Sequence, residues 1–309
     1  MDRFITTSLT DFFIQILFVL LVGLSLFCIW FPKKIFGVWD RWKYWIRGFA
    51  VAVLACFCYA VFVEPRLITV ATYQLPLVKE PKTWVRAILL TDAHAGFFKE
   101  PAFYRRVADR VRLLNPDVIF IGGDFVDGDA AALSSLESWR SFSAPLGVYA
   151  VLGNHDYYRT GSSSVVRDWI RSSGFKNMTN RSTRLSKEGR SFILLGLDDA
   201  RLGTPDYSLF VRSATQTPRL LFTHDADALL RLDGTEVNGA LIGHTHGGQV
   251  RLPIIGSLSY LPQQAPQWLD RGLKYWHQIP VVISQGIGET VAPIRFDCPP
   301  QIVEVNIGI

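Results

Sequence analysis

WVRAILLTDAHAG, residues 84–96, opens as a short apolar run and ends in a polar loop that carries Asp92 and His94. A run this short, closed by turn-forming residues, reads as a buried strand. The next segment changes period. PAFYRRVADRVRLL (101–114) places Phe103, Val107, Val111 and Leu114 at helical spacing, and Pro101 suits a helix start. The strand-and-loop pattern then returns in DVIFIG (117–122) and GVYAVLG (147–153). A Ser-rich helix is expected near 162–173. SFILLGLDD (191–199), RLLFTH (219–224), GALIGH (239–244), VVISQG (281–286) and IVEVNI (302–307) follow. A βαβα series that becomes strand-dominated predicts an α/β fold. The expected form is a four-layer αββα sandwich, two packed mixed β-sheets flanked by helices.

The chain has six histidines, and five of them lie at or just past strand ends: His94, His155, His224, His244 and His246. Loops at the carboxyl ends of strands are where α/β folds place their sites. Taken singly, each cluster has a structural explanation. Asp92-Ala93-His94 reads as an Asx turn, Gly122-Gly123-Asp124 as a tight turn, Gly153-Asn154-His155-Asp156 as a turn with left-handed residues, and Gly243 to Gly248 as a glycine loop. Together they read as one donor set. Carboxylates, imidazoles and an amide oxygen suit Mn²⁺, Fe²⁺, Co²⁺ or Zn²⁺. Seven such groups exceed one ion with open positions and suffice for two ions sharing a carboxylate. The glycines let backbones approach closely.

The beginning of the chain is different in kind. FFIQILFVLLVGLSLFCIWF (12–31) holds no charge and is long enough to cross a hydrocarbon core of roughly 30 Å. FAVAVLACFCYAVFV (49–63) is shorter and reaches spanning length by extending back through Tyr44, with Arg47 snorkelling to the headgroups. A half-inserted hairpin is the competing reading. The loop between carries Lys33, Lys34, Arg41, Lys43 and Arg47 against Asp40, with Trp39, Trp42, Tyr44 and Trp45 as interfacial aromatics. The positive-inside rule puts this loop in the cytoplasm and everything after residue 63 outside it. Residues 1–63 are therefore read as a transmembrane helical hairpin, 64–83 as a linker or edge strand, and 84–309 as the catalytic domain. Cys28, Cys56 and Cys58 fall in the apolar segments and only Cys298 in the polar part, which excludes a disulfide framework there. The net charge of +5 is concentrated early: residues 1–63 hold six basic and three acidic residues. The nearly balanced remainder argues against a nucleic-acid partner.

The series D-x-H (92–94), G-G-D (122–124), G-N-H-D (153–156), His224 and G-H-x-H (243–246) resembles the calcineurin-like metallophosphoesterase superfamily over about residues 85–307. GHTHGGQVRLPIIG (243–256) and GIGETVAPIRFDCPP (286–300) resemble a membrane-associated bacterial subgroup of it. The resemblance implies that Asp92, His94 and His246 bind one divalent metal ion, that Asn154, His224 and His244 bind a second, and that Asp124 bridges both. It implies hydrolysis of phosphate esters or pyrophosphates by a hydroxide held between the ions. His155 would stabilise charge or protonate the leaving oxygen. Asp156 either orients His155 or caps a helix. The implied setting is a multi-pass bacterial inner-membrane protein with a lipid-linked phosphoester substrate. A UDP-2,3-diacylglucosamine-type pyrophosphate is one alternative substrate, and a non-catalytic metal-binding scaffold or sensor is the alternative of another class. Two departures stand out: THDAD (223–227) has Asp225 where relatives often have Asn or Glu before Pro, and Ala93 is small. Arg295, Gln249, Phe97, Phe98, Tyr157 and Tyr158 are lesser candidates, with surface pairing or core packing the expected roles. His277 lies outside every motif.

Overall fold

The computed structural model describes residues 22–27, 42–96, 98–210 and 216–309. Most of the first apolar run lies outside these residues, and with it the expected pairing of two apolar helices; 22–27 is helical. The second run forms α1 (Trp42–Cys58), which continues through a π-helical turn, Tyr59–Val63, and a 3-10 turn, Glu64–Arg66. The helix thus runs on past residue 63. Tyr44–Arg66 is long and apolar enough to cross a membrane. Phe49, Val51 and Phe62 on it are exposed. A helix apolar on its outer faces has no stable place in water.

Two six-stranded sheets follow. The first has the spatial order β1 (Thr69–Pro76), β14 (Gln301–Gly308), β2 (Trp84–Leu90), β3 (Val118–Gly122), β4 (Val148–Val151) and β5 (Lys176–Asn177). The second has β12 (Gly272–Trp276), β13 (Ile279–Ile283), β9 (Gly239–Ile242), β8 (Arg219–Phe222), β7 (Arg190–Gly196) and β6 (Arg181–Lys187). β2, β3 and β4 are parallel, as are β7, β8, β9 and β13. β14 runs antiparallel to β2, and β6 and β12 run antiparallel to their neighbours, so both sheets are mixed. β3, β4, β9 and β13 are buried throughout, which is why they read as unbroken apolar runs. β10 (Arg251–Leu252) and β11 (Gly256–Ser257) form a separate small hairpin.

The sheets pack face to face. Leu89, Phe120 and Val151 from the first meet Leu194, Phe222 and Leu241 from the second. The Phe120 and Phe222 rings lie 5.2 Å apart. Ile88, Ile119 and Ala150 on the outer face of the first sheet lie under α2 (Pro101–Leu113), a 3-10 helix (Ala130–Ser141) and α3 (Ser162–Ser172). α2 buries Phe103, Val107 and Val111, the positions its spacing predicts.

The second outer layer differs from expectation. Among the described residues no α-helix covers the second sheet. Its outer face, with Leu221, Ala240 and Val281, packs against the 3-10 turns Tyr207–Phe210 and Ala226–Arg231 and against Ala265 and Leu269. The connection from β8 to β9 explains this. It opens with His224, whose side chain faces the site, and with Asp225, which accepts from Asp227 N at 2.8 Å to start the turn. The turn it starts, Ala226–Arg231, is 3-10 and stops at Leu232, which is extended.

Candidate metal centre

The parallel strands β2, β3 and β4 of one sheet and β8 and β9 of the other end at the same place. Their loops are tied by backbone bonds: Asp92 N donates to Gly123 O, His94 N to Asp124 O, and Gly243 N to His224 O, at 2.9–3.0 Å. Five non-glycine residues here hold the left-handed region: Asp92 (φ 55°), His94 (43°), Asp124 (52°), His244 (66°) and His246 (50°). Such conformations cost about 1–3 kcal/mol each and persist where the surroundings enforce them. Gly153 shows how close the backbones come. A Cβ there would lie 2.2 Å from Asp124 Oδ1 and 2.7 Å from His224 Cε1.

Two ligand groups result. Asp92, His94 and His246 form one, and Asp124, His224 and His244 the other. Asp124 lies between them, with Oδ2 3.4 Å from His94 Nε2 and 3.2 Å from His224 Nε2. His94 Nε2 is 3.0 Å from His246 Nε2, and His224 Nε2 is 3.1 Å from His244 Nδ1. Nitrogens this close point at a common partner. Three of the imidazoles use their other nitrogen to donate to a carbonyl: His224 Nδ1 to Gly122 O at 2.7 Å, His246 Nδ1 to Gly288 O at 3.2 Å and His244 Nε2 to Pro262 O at 3.1 Å. Donated in this direction, these bonds would leave the inward nitrogens to ligate an ion, as metal ligation requires. Asn154 sits at the same edge, and its buried Oδ1 has no partner in the protein. An orphaned amide oxygen beside bare imidazole nitrogens and carboxylates fits divalent cations.

The electrostatics agree. Burial opposes ionisation of Asp124, yet the His224 and His155 imidazoles beside it hold its carboxyl well below the usual range. Burial likewise resists a charged His224, and Asp124 and Asp92 outweigh it, raising that imidazole well above the ordinary value. His94 is raised in the same way by Asp127 and Asp124. His244 and His246 go the other way: burial, then the neighbouring imidazoles His224 and His94 respectively, push both well down.

His155 lies beside the ligand groups. Its N–H donates to Asp124 Oδ1 at 2.8 Å, and its ring meets His94 edge-on at 4.5 Å. The acid on its side chain is Asp127, whose Oδ1 is 2.6 Å from Nδ1. Of the two roles expected for Asp156, orienting this ring and capping a helix, the structure shows the cap, with Asp156 Oδ2 accepting from Gly153 N at the start of the 3-10 turn Asn154–Tyr157. The Asp156 carboxylate is fully buried and accepts from the N–H groups of Gly153, Asp124, Phe125 and Val126 at 2.9–3.4 Å. Burial and the nearby Asp124 push it up to about 7, while those four donors favour the carboxylate. Asp156 therefore knots the β3 loop to the β4 loop. Sequence reasoning missed Asp127, although it stands three residues past Asp124 in GGDFVDGD (122–129).

Other candidates fall elsewhere. Arg295 is neither exposed nor open to a phosphate. It is fully buried, with Nε 2.9 Å from Glu289 and its remaining N–H groups on the carbonyls of Gln285, Gly286, Gly288 and Cys298. Gln249 clamps Thr290 through both its amide atoms. Tyr157 OH contacts Asp198 at 2.5 Å. Tyr158 accepts from Asn154 Nδ2 at 3.0 Å, with its ring 4.1 Å from that of His155. Asp225 turns away from the ligands to Asp227 N and Ala200 N, and burial followed by Asp199 pushes it up to about 7. His277 is exposed in the turn between β12 and β13, and Phe97 lies outside the described residues.

Two sheets meeting at a histidine and aspartate cluster define a class, and the chain belongs to it. The family model for calcineurin-like phosphoesterases matches residues 85–248, over half the chain, and the chain is a member of that family of hydrolases. Relatives include an uncharacterized metallophosphoesterase of Bacillus subtilis, YkuE, 28% identical over 79% of this chain and 87% of that protein. The phosphodiesterase YaeI of Escherichia coli is 26% identical over 83% of this chain and 94% of that protein. A transmembrane protein with a metallophosphoesterase domain from Danio rerio is 30% identical over 59% of this chain and 45% of that protein.

Proposed function

We propose that this chain is a membrane-anchored phosphoesterase that uses two divalent ions to hydrolyse a phosphodiester or pyrophosphate, with a lipid-linked substrate. The observation that carries this reading is the shared carboxylate: Asp124 Oδ2 stands within 3.4 Å of one imidazole from each ligand group. Asp92, His94 and His246 would hold one ion, Asn154, His224 and His244 the other, and Asp124 both. When bound, the ions draw charge from the phosphoryl oxygens and acidify a water, as in other two-metal phosphatases.

The side chains supply the rest. Water adds its oxygen to phosphorus, the bond from phosphorus to the leaving oxygen breaks, and His155 protonates that oxygen. Asp127 holds His155 by Nδ1, which assigns the transferred proton to Nε2. Arg201 Nη1 lies 2.9 Å from His244 Nε2, but a nitrogen that donates to Pro262 O cannot also accept. The guanidinium is therefore available to an incoming phosphoryl oxygen.

The Tyr44–Arg66 helix supports a membrane anchor. With the 12–31 run it makes a multi-pass inner-membrane protein of a bacterium, with the site outside the cytoplasm. A reporter fused after residue 309 that is active in the cytoplasm would overturn this orientation. The activity is tested with full-length, Mn²⁺-loaded protein on bis(p-nitrophenyl) phosphate, with His155→Ala as control. A loaded protein silent on every ester of a phosphoester panel would sink the reading.

A further inference from the structure

Beyond the helix, the surface carries a second apolar feature. In the β10–β11 hairpin and the turn after it, Ile254 is 108%, Ile255 70%, Leu258 55% and Tyr260 82% exposed. No charged residue occurs between Arg251 and Asp270, and Trp268 in the same stretch is also exposed. Single exposed apolar residues are ordinary, but a contiguous uncharged set of them marks an interaction surface. The backbone adds a second sign. Ile254 holds φ 71°, where glycine or asparagine sits easily and a β-branched residue does not. The turn therefore enforces a strained conformation on a residue whose side chain packs against nothing. Conflicts of this kind mark functional positions.

Residues 295–298, which back the hairpin root, are bonded to the end of the apolar helix. Arg295 N donates to Ala60 O at 2.9 Å, and Glu64 accepts from the N–H groups of Asp297 and Cys298. The Tyr59 ring meets Phe296 edge-on at 6.4 Å. Phe296 in turn bridges Val250, with Arg251 N on Phe296 O and Phe296 N on Gln249 O, both 2.9 Å. Ile254 is three residues beyond Arg251, so the tip lies within about 11 Å of Arg251. The hairpin also rests on the ligand loop. A Cβ on Gly248 would lie 1.8 Å from Ser257 Oγ, and Gly288 O receives both His246 Nδ1 and Arg295 Nη2.

We infer that the β10–β11 hairpin is a second, monotopic membrane contact that inserts Ile254, Ile255 and Leu258 at the bilayer interface and so brings a lipid-borne phosphoester to the metal loops. This builds on the membrane-anchored phosphoesterase reading above. The lipid surface is the occupant because the hairpin root pairs with Phe296, and the segment around Phe296 is bonded to the end of the apolar helix. Tyr260 and Trp268 are the side chains that favour the headgroup zone. The hairpin's one charge, Arg251, is buried and paired with Asp270 at 2.8 Å, so binding through the uncharged tip is apolar and independent of anionic lipid.

Full-length protein in phosphatidylcholine vesicles tests this. Cys28, Cys56 and Cys58 are replaced by alanine, buried Cys298 is kept, and Ile254→Cys carries an environment-sensitive fluorophore. Brominated acyl chains should quench it, and should leave the same label at Glu137→Cys unquenched. An unquenched Ile254 label overturns the inference, as does a label shielded only by self-association and restored on dilution. In the unlabelled protein, Ile254→Asp with Ile255→Asp should cut turnover of a vesicle-embedded phosphodiester about tenfold and leave bis(p-nitrophenyl) phosphate turnover unchanged. Equal effects on both substrates also overturn it. Wild type inactive on both substrates would instead count against the phosphoesterase reading, while the quenching still decides the hairpin.

Discussion

Among the places where the described residues hold non-glycine side chains at positive φ, two break the burial rule in opposite directions. The ligand loops bury acids and imidazoles at φ 43–66°. The β10–β11 tip exposes an isoleucine at φ 71°. Unpaired carboxylates in an interior cost several kcal/mol each, and apolar surface left in water forgoes about 25 cal/mol per Å². On the readings proposed above, each region is completed by something that is not protein: cations inside, lipid outside. The comparison separates strain that serves chemistry from strain that serves placement.

The largest effect expected is at the point both ligand groups share. Asp124→Ala should lower phosphodiester turnover at least about 10⁴-fold, beyond the roughly 10²–10⁴ that one general acid contributes. It should also halve the metal content seen by elemental analysis. His155→Ala should lose turnover within that same range and keep its metal. If His155→Ala lost metal too, it would belong with the ligands.

Asp127→Asn should come next, with a loss of about 10–100-fold, the usual cost of removing a partner that holds a functional imidazole. The loss should appear in kcat more than in KM, and the alkaline limb of the pH profile should move. Asp156→Asn should instead lower Tm, because its carboxylate accepts four backbone N–H groups and no imidazole. An Asp156 variant with wild-type Tm and a shifted pH profile would restore the role first expected for it.

How much of this was legible follows the same divide. Strand ends and ligand loops announce themselves because residue type and position coincide: an apolar run, glycine, then a ligand residue, as in VIFIGGD (118–124) and GALIGH (239–244). Asp127 stayed hidden because its partner is on another loop, and only folding shows which acid of GGDFVDGD meets His155. Arg295 read as a surface cation because sequence cannot show a pocket of carbonyls. β6 and β12 were missed since edge strands carry too many polar residues to stand out. LPIIG (252–256) was quoted as part of a resemblance, but its apolar letters read equally as core. Only the fold turns them outward.

Metal uptake sharpens the inner half of the comparison. The carboxylates beside His94 and His224 raise both imidazoles above the ordinary histidine value in the metal-free protein, whereas burial lowers His244 and His246. Ions need the bare nitrogens, so protons compete with metal at the first pair alone. Affinity should rise as pH climbs through those raised values and level off above them. Binding at pH 7 should release about one to two protons, read by calorimetry in buffers of different ionisation heat. A release of none would mean that the metal-free imidazoles are neutral and the carboxylates balanced otherwise.

The smallest effect tests the outer half. Ile254→Asn places a residue suited to φ > 0 at the tip and removes strain of about 1 kcal/mol. In detergent the folded chain should gain Tm by a few degrees at most, while vesicle-borne substrate turns over more slowly. The sign is what matters. A ligand-loop residue such as His246 is strained too, yet removing it deletes a metal ligand and costs chemistry. At Ile254 stability and interfacial activity should move in opposite directions. If Ile254→Asn instead lost stability in detergent, the isoleucine would be serving the fold, and the two strained regions would differ only in where they sit.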